Sequence, residues 1–102
     1  MSADTYQVLH APAAAPGSVS YTGTAGSISQ AVRGNLLMVW CTTDAYVTVG
    51  STATTSNGTP IPSYQVFWLP IPDAIRQGQT PTVLVSAIQV TSGGTLYAQQ
   101  FN

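Results

Sequence analysis

Few side chains in this 102-residue chain could carry acid–base, nucleophilic or metal chemistry. His10 and Cys41 are its only histidine and cysteine, and its carboxylates are Asp4, Asp44 and Asp73. A zinc site takes about four His, Cys or carboxylate ligands, which one chain of this composition cannot assemble in a standard set. A Ser-His-Asp triad would have to use His10, and no Gly-x-Ser-x-Gly elbow is present. His10 therefore reads as a residue at the end of a strand. Asp44 sits in a polar corner and Asp73 before a short helical turn, both places where an aspartate bonds its own backbone. They do not read as the paired carboxylates of a glycosidase. Gly93-Gly94 has no following helix and no lysine, so it is not a phosphate loop. Cys41 lies inside an apolar run and reads as a small buried hydrophobe with no disulfide partner, which suits a reducing compartment. The expectation is a chain that is not an enzyme and uses no cofactor and no metal.

Aromatic side chains are the remaining chemistry. Trp40, Tyr46, Tyr64, Phe67, Trp68, Tyr97 and Phe101 fall mostly in strand-like segments, where core packing is the plain explanation. Phe67 and Trp68 are adjacent, so in a strand they point to opposite faces and one must leave the main core. An outward tryptophan is either a subunit anchor or a sugar-stacking platform. The candidate interface residues are Trp68, Phe67 and Tyr64. Trp40, Tyr64 or Trp68 would serve a carbohydrate.

Composition bears on the partners. Charged residues are 5% of the chain, against about 25% in ordinary soluble domains, and Lys and Glu are absent. Two explanations stand: Thr- and Ser-rich faces solvated as they are, or a surface occupied by other subunits, where charges would be costly to desolvate. Two arginines cannot neutralise a run of phosphates, so no nucleic acid is expected. No segment approaches the roughly 20 apolar residues of a membrane span, and no membrane association is expected. The start, MSADTYQVLHAPAAAPG, lacks the basic and apolar regions of a signal peptide.

The elements that must position these residues are strands. The chain is centred on residues 36–50, LLMVWCTTDAYVTVG: two apolar runs around Thr42-Thr43-Asp44, read as a hairpin whose first strand is covered on both faces. Before it come strand-like segments at 6–9 (YQVL), 18–21 (SVSY) and 28–32. After it, 53–55 reads as a short strand and Asn57-Gly58 as a tight turn, with Pro60 and Pro62 limiting further pairing. Residues 64–69 (YQVFWL) read as an aromatic strand and 73–78 as one helical turn. Residues 82–90 and 95–101 read as a second hairpin closed by TSGG. This makes one domain: an N-terminal strand and Ala/Pro-rich arm or loop over 1–17, with Pro12 and Pro16 able to reach a neighbour, and a sandwich over 18–102. The fold class is all-β, an antiparallel, jelly-roll-like β-sandwich of about eight short strands.

The combination TTDAYVTVGSTAT, a Pro-flanked aromatic strand and VSAIQVTSGGTLYAQQF resembles small β-rich accessory virion proteins of tailed bacteriophages, across roughly residues 36–101. The resemblance implies a structural protein made in the host cytoplasm and resident in the virion. Its role would be a capsid decoration (cement) protein, or a neck or tail component. It would be a homo-oligomer, with a trimer expected, and its partner would be the phage major capsid protein or another virion protein. The alternative is a carbohydrate-binding β-sandwich of a tail or fibre.

Overall fold

The computed structural model describes residues 13–71 and 81–101. The strand read at 6–9, the turn at 73–78, and His10, Pro12, Asp4, Asp73 and Arg76 lie outside them. The described residues form eight strands: β1 Gly17–Tyr21, β2 Gly26–Ala31, β3 Leu36–Cys41, β4 Ala45–Val49, β5 Thr59–Ile61, β6 Phe67–Pro70, β7 Thr82–Gln89 and β8 Gly94–Phe101. They make two four-stranded antiparallel sheets, β1-β8-β3-β6 and β2-β7-β4-β5, packed face to face. This strand order is that of a jelly roll. Only β4 and β5 are consecutive strands paired in one sheet; every other connection crosses to the opposite sheet.

Both expected hairpins are therefore corrected. β3 belongs to the first sheet and β4 to the second, so Thr42-Thr43-Asp44 is an arch between sheets. β7 and β8 are likewise in different sheets, each paired with other strands. The physical reason is burial. Leu37, Val39 and Cys41 of β3 and Ala45 and Val47 of β4 are all almost fully buried, and facing them across two layers buries both sets at once. The corner also lacks the Gly or Asn at positive φ that a two-residue hairpin turn requires. Residues 53–55 form no strand; Ala53 is buried in a loop, and the strand in this region is β5.

Alternation within each strand sorts residues between core and surface. The core comprises Tyr21, Leu37, Val39, Cys41, Ala45, Val47, Ile61, Ile71, Val83, Val85, Ala87, Leu96 and Ala98, with Val19, Ile28, Phe67 and Leu69 packed against it. Gln100 is also fully buried. Its Oε1 accepts the amides of Arg33 (2.6 Å) and Gly34 (3.2 Å), and its Nε2 donates to Ala31 O (2.9 Å) and Gln30 Oε1 (3.3 Å). A buried amide is tolerable when its bonds are made, and this one fastens the β2–β3 turn to β8.

The outer faces of the two sheets differ. The β4–β5 connection folds back over the second sheet. It leaves β4 at Gly50, whose φ of 95° is disfavoured for residues with a side chain. It returns at Gly58, packed so closely that an added Cβ would lie 2.5 Å from Tyr46 Cβ. Between them Ala53 is 2% exposed, and its amide donates to Ser86 Oγ at 2.9 Å. Ser86 Oγ in turn donates to Gly26 O (3.2 Å) and receives the hydroxyl of Ser27 (3.0 Å). No described segment lies in this way across the outer face of the first sheet.

Candidate functional site

The outer face of β1-β8-β3-β6 carries the aromatic residues singled out above. β3 is central in this sheet, between β8 and β6. Its outward residues Leu36, Met38 and Trp40 are half-buried. Registers place Trp40 opposite Tyr97, Met38 opposite Gln99 and Trp68, and Leu36 opposite Phe101 and Pro70. Tyr97 lies opposite Ser18 on β1. These rows make one sheet face with an apolar centre and a Ser, Thr and Gln margin. None of the strand residues on it is charged.

The rings pack on one another. Trp40 stacks on Tyr97, centroids 4.3 Å apart and planes 16° apart, and Tyr64 approaches Trp40 at 5.8 Å. Trp68 meets Phe101 edge-on at 5.2 Å. Such pairs add about 0.5–1.5 kcal/mol beyond area burial. They hold the rings in place while leaving much of them open: Tyr64 is 68% exposed and Trp68 46%. Val66 is 51% exposed beside them. Phe67 turns the other way and packs against the core, so of the adjacent pair Trp68 is the one that faces out. Pro16 is exposed immediately before β1, and the segment it belongs to runs along β8: Ala13 N–H donates to Gln100 O at 2.8 Å and Gln99 Nε2 to Ala14 O at 2.9 Å.

Tyr64 has φ 58°, a left-handed backbone in a bulky residue. Conformations of this kind cost about 1–3 kcal/mol and concentrate at functional positions. After the strained N–Cα bond, Gln65 N–H donates to Pro62 O (3.3 Å), and two bonds hold the chain before it. Tyr64 N–H donates to Cys41 O (2.8 Å), and Ser63 N–H donates to Asp44 Oδ1 (2.9 Å). Asp44 thus uses its carboxylate to tie the β5–β6 connection to the arch, a larger role than the local turn expected of it. Together Thr42, Thr43, Asp44, Ser63, Thr91 and Ser92 line an open hollow of about 250 Å³ at this end of the sandwich.

The two titratable groups beneath the arch are structural. Cys41 is fully buried, and burial pushes its thiol up to about 11, which keeps it protonated at neutral pH. Tyr21 is 2% exposed, and burial raises its pKa above the ordinary phenol value, hydrogen bonding to Thr43 opposing. Its hydroxyl donates to Thr43 O at 2.9 Å and lies 2.7 Å from Thr43 Oγ1, pinning the arch to β1. Among the described residues no three His, Cys, Asp or Glu side chains converge. Among them, too, no helix is long and apolar enough to cross a membrane.

Among the described residues, the edge strands of the two sheets also differ. β5 and β6, on one flank, contain Pro60 and Pro70, which blunt strand pairing. β1 (GSVSY) and β2 (GSISQA), on the other, contain no proline and no charge. No family model, curated protein or solved structure matches the chain.

Proposed function

We propose that the chain is a non-enzymatic virion structural protein of a tailed bacteriophage, a capsid decoration protein that docks through the outer face of β1-β8-β3-β6. The observation that carries the docking part is the uncharged aromatic face centred on Trp68, Phe101, Met38 and Leu36. Contiguous exposed apolar patches of this kind mark interaction sites in folded proteins. A partly exposed tryptophan braced by a neighbouring ring suits the central anchor of an interface, and the polar margin suits its rim. Self-association is the second part of the proposal, supported by the β1–β2 flank, where the edge strands carry no proline or charge and no other described strand pairs, so that a second copy can add to it. The virion and capsid assignment rests on the resemblance of residues 36–101 to phage accessory proteins. Multivalent attachment to a symmetric shell allows weak individual contacts to add through avidity. Sedimentation of the purified chain, alone and with capsid shells, tests the reading. Oligomers and co-sedimentation with shells are expected; a permanently monomeric chain that stays in the supernatant overturns it.

A further inference from the structure

The aromatic face changes character at its Tyr64 end. Tyr97, Trp40 and Tyr64 form a ladder of rings there, Tyr64 reaching Trp40 from the β6 side. The ladder runs along the chain into the polar hollow, since Thr42 lies two residues beyond Trp40 and Ser63 immediately precedes Tyr64. At about 250 Å³ and open to solvent, the hollow can seat one small group of a ligand that extends over the rings.

Its chemistry is selective. Thr42 Oγ1 accepts the amide of Thr95 at 2.9 Å, which fixes the oxygen and leaves the hydroxyl proton to donate. Thr43 Oγ1 donates to Ser92 O at 3.0 Å. Asp44 Oδ1 accepts the Ser63 amide at 2.9 Å, and a carboxylate keeps further lone pairs for hydroxyl donors. No cation lines the hollow. The other charged residue described, Arg33, sits in the β2–β3 turn at the opposite end of the sandwich. Among the described lining residues an anionic ligand would meet only the charge of Asp44, whereas a neutral polyol finds both donors and acceptors. Tyr64, 68% exposed and set beside Trp40, can complement the C–H face of a pyranose. The strained backbone of Tyr64, which glycine would adopt freely, keeps a ring 68% exposed beside this hollow.

We propose that this end of the molecule binds a neutral saccharide. A pyranose lies on the Tyr64–Trp40 ladder, and its hydroxyls bond Asp44 and Thr42. The site uses side chains other than Trp68 and does not depend on assembly.

The test is an NMR titration of the full chain with short neutral gluco-, galacto- and manno-oligosaccharides, with sialyl and uronic-acid oligosaccharides as anionic comparators. At least one neutral series is expected to shift the amides of Thr42, Asp44 and Tyr64 saturably, with the anionic series weaker. Tyr64→Gly relieves the backbone and removes the ring; Asp44→Asn keeps an acceptor for Ser63 and removes the charge. Each is expected to weaken binding by at least about tenfold, equivalent to about 1.4 kcal/mol. Trp68→Ala should bind as the parent does. The proposal is overturned if no neutral series shifts these amides at about 10 mM, where even a millimolar Kd would approach saturation. Folded Tyr64→Gly with undiminished binding overturns it equally.

Discussion

Replacing Trp68 with alanine separates docking from folding. Trp68 is 46% exposed, and aromatic side chains offer roughly 150–250 Å² of surface. About 100 Å² is thus available to a partner, and about as much is already covered within the monomer, where Phe101 meets it edge-on. At ~25 cal/mol per Å², each share contributes about 2.5 kcal/mol. Trp68→Ala should therefore lower stability by about 2–3 kcal/mol, which a domain with about 5–15 kcal/mol survives. It should weaken docking by roughly 50–100-fold, at 1.4 kcal/mol per tenfold. Leu37→Ala is the contrast, since Leu37 is fully buried in the neighbouring strand. It should cost about 2–5 kcal/mol of stability and leave the docking of folded molecules unchanged. Urea unfolding gives the stability change, and sedimentation over a dilution series with capsid shells gives the affinity. Docking by Trp68→Ala at the parent affinity would refute the assignment of this face. Loss of its fold would instead make Trp68 a core residue.

Other predictions concern the frame behind the face. Gln100→Leu leaves the Arg33 and Gly34 amides and the Ala31 carbonyl without their partner, so a loss of about 3–5 kcal/mol is expected in urea unfolding. A loss under about 1 kcal/mol would mean the turn repacks. Ser86→Ala removes the acceptor of the buried Ala53 amide; it should lower stability by about 1–3 kcal/mol and speed hydrogen exchange at Ala53. Unchanged exchange there would show that the loop is held by other contacts. Stability should also fall in alkali. The unfolded thiol of Cys41 ionises near 8.5 while the native one stays protonated to about 11, so the unfolded state binds fewer protons between these values. The loss is about 1.4 kcal/mol per pH unit across that window, and the raised pKa of Tyr21 acts in the same direction. Cys41→Val should flatten the slope in unfolding measured at several pH values; an unaltered slope would place its source elsewhere.

Strand identity was largely legible in the sequence, and strand pairing was not. Alternation in SVSY and in residues 95–101, and the apolar runs of β3 and β7, mark strands because each must bury a face. Nothing in an apolar run, a polar corner and another apolar run says whether the chain turns back in its own sheet or crosses to the facing one. The usable hint was turn chemistry: Thr42-Thr43-Asp44 lacks a hairpin dipeptide, while Asn57-Gly58 falls in the one connection that joins paired neighbours, β4 and β5. β5 escaped notice because Pro60 argues against a central strand, and it is indeed an edge strand. The described residues hold eight strands, in line with the expected number, but with a different membership: β5 is among them, 53–55 is not, and the segment at 6–9 lies outside them.

Of the site, adjacency in the strand required one of Phe67 and Trp68 to point outward, and the structure selects Trp68. The ring ladder was not legible, since it joins residues 40, 64 and 97 through the crossing connections. The role of Asp44 was missed for the same reason: its partner is the amide of Ser63, on another connection. The positive φ of Tyr64 gives no sequence signal, because glycine or asparagine is what such a position leads one to expect.

The central claim is that the Trp68 face of the β1-β8-β3-β6 sheet docks this protein in a phage particle. An electron-microscopy map of the particle tests it most directly. The account predicts copies of the sandwich on the outer shell, with Trp68, Phe101 and Met38 turned into the contact with capsid protein. A map in which the protein is absent, or sits with that face open to solvent, would contradict it.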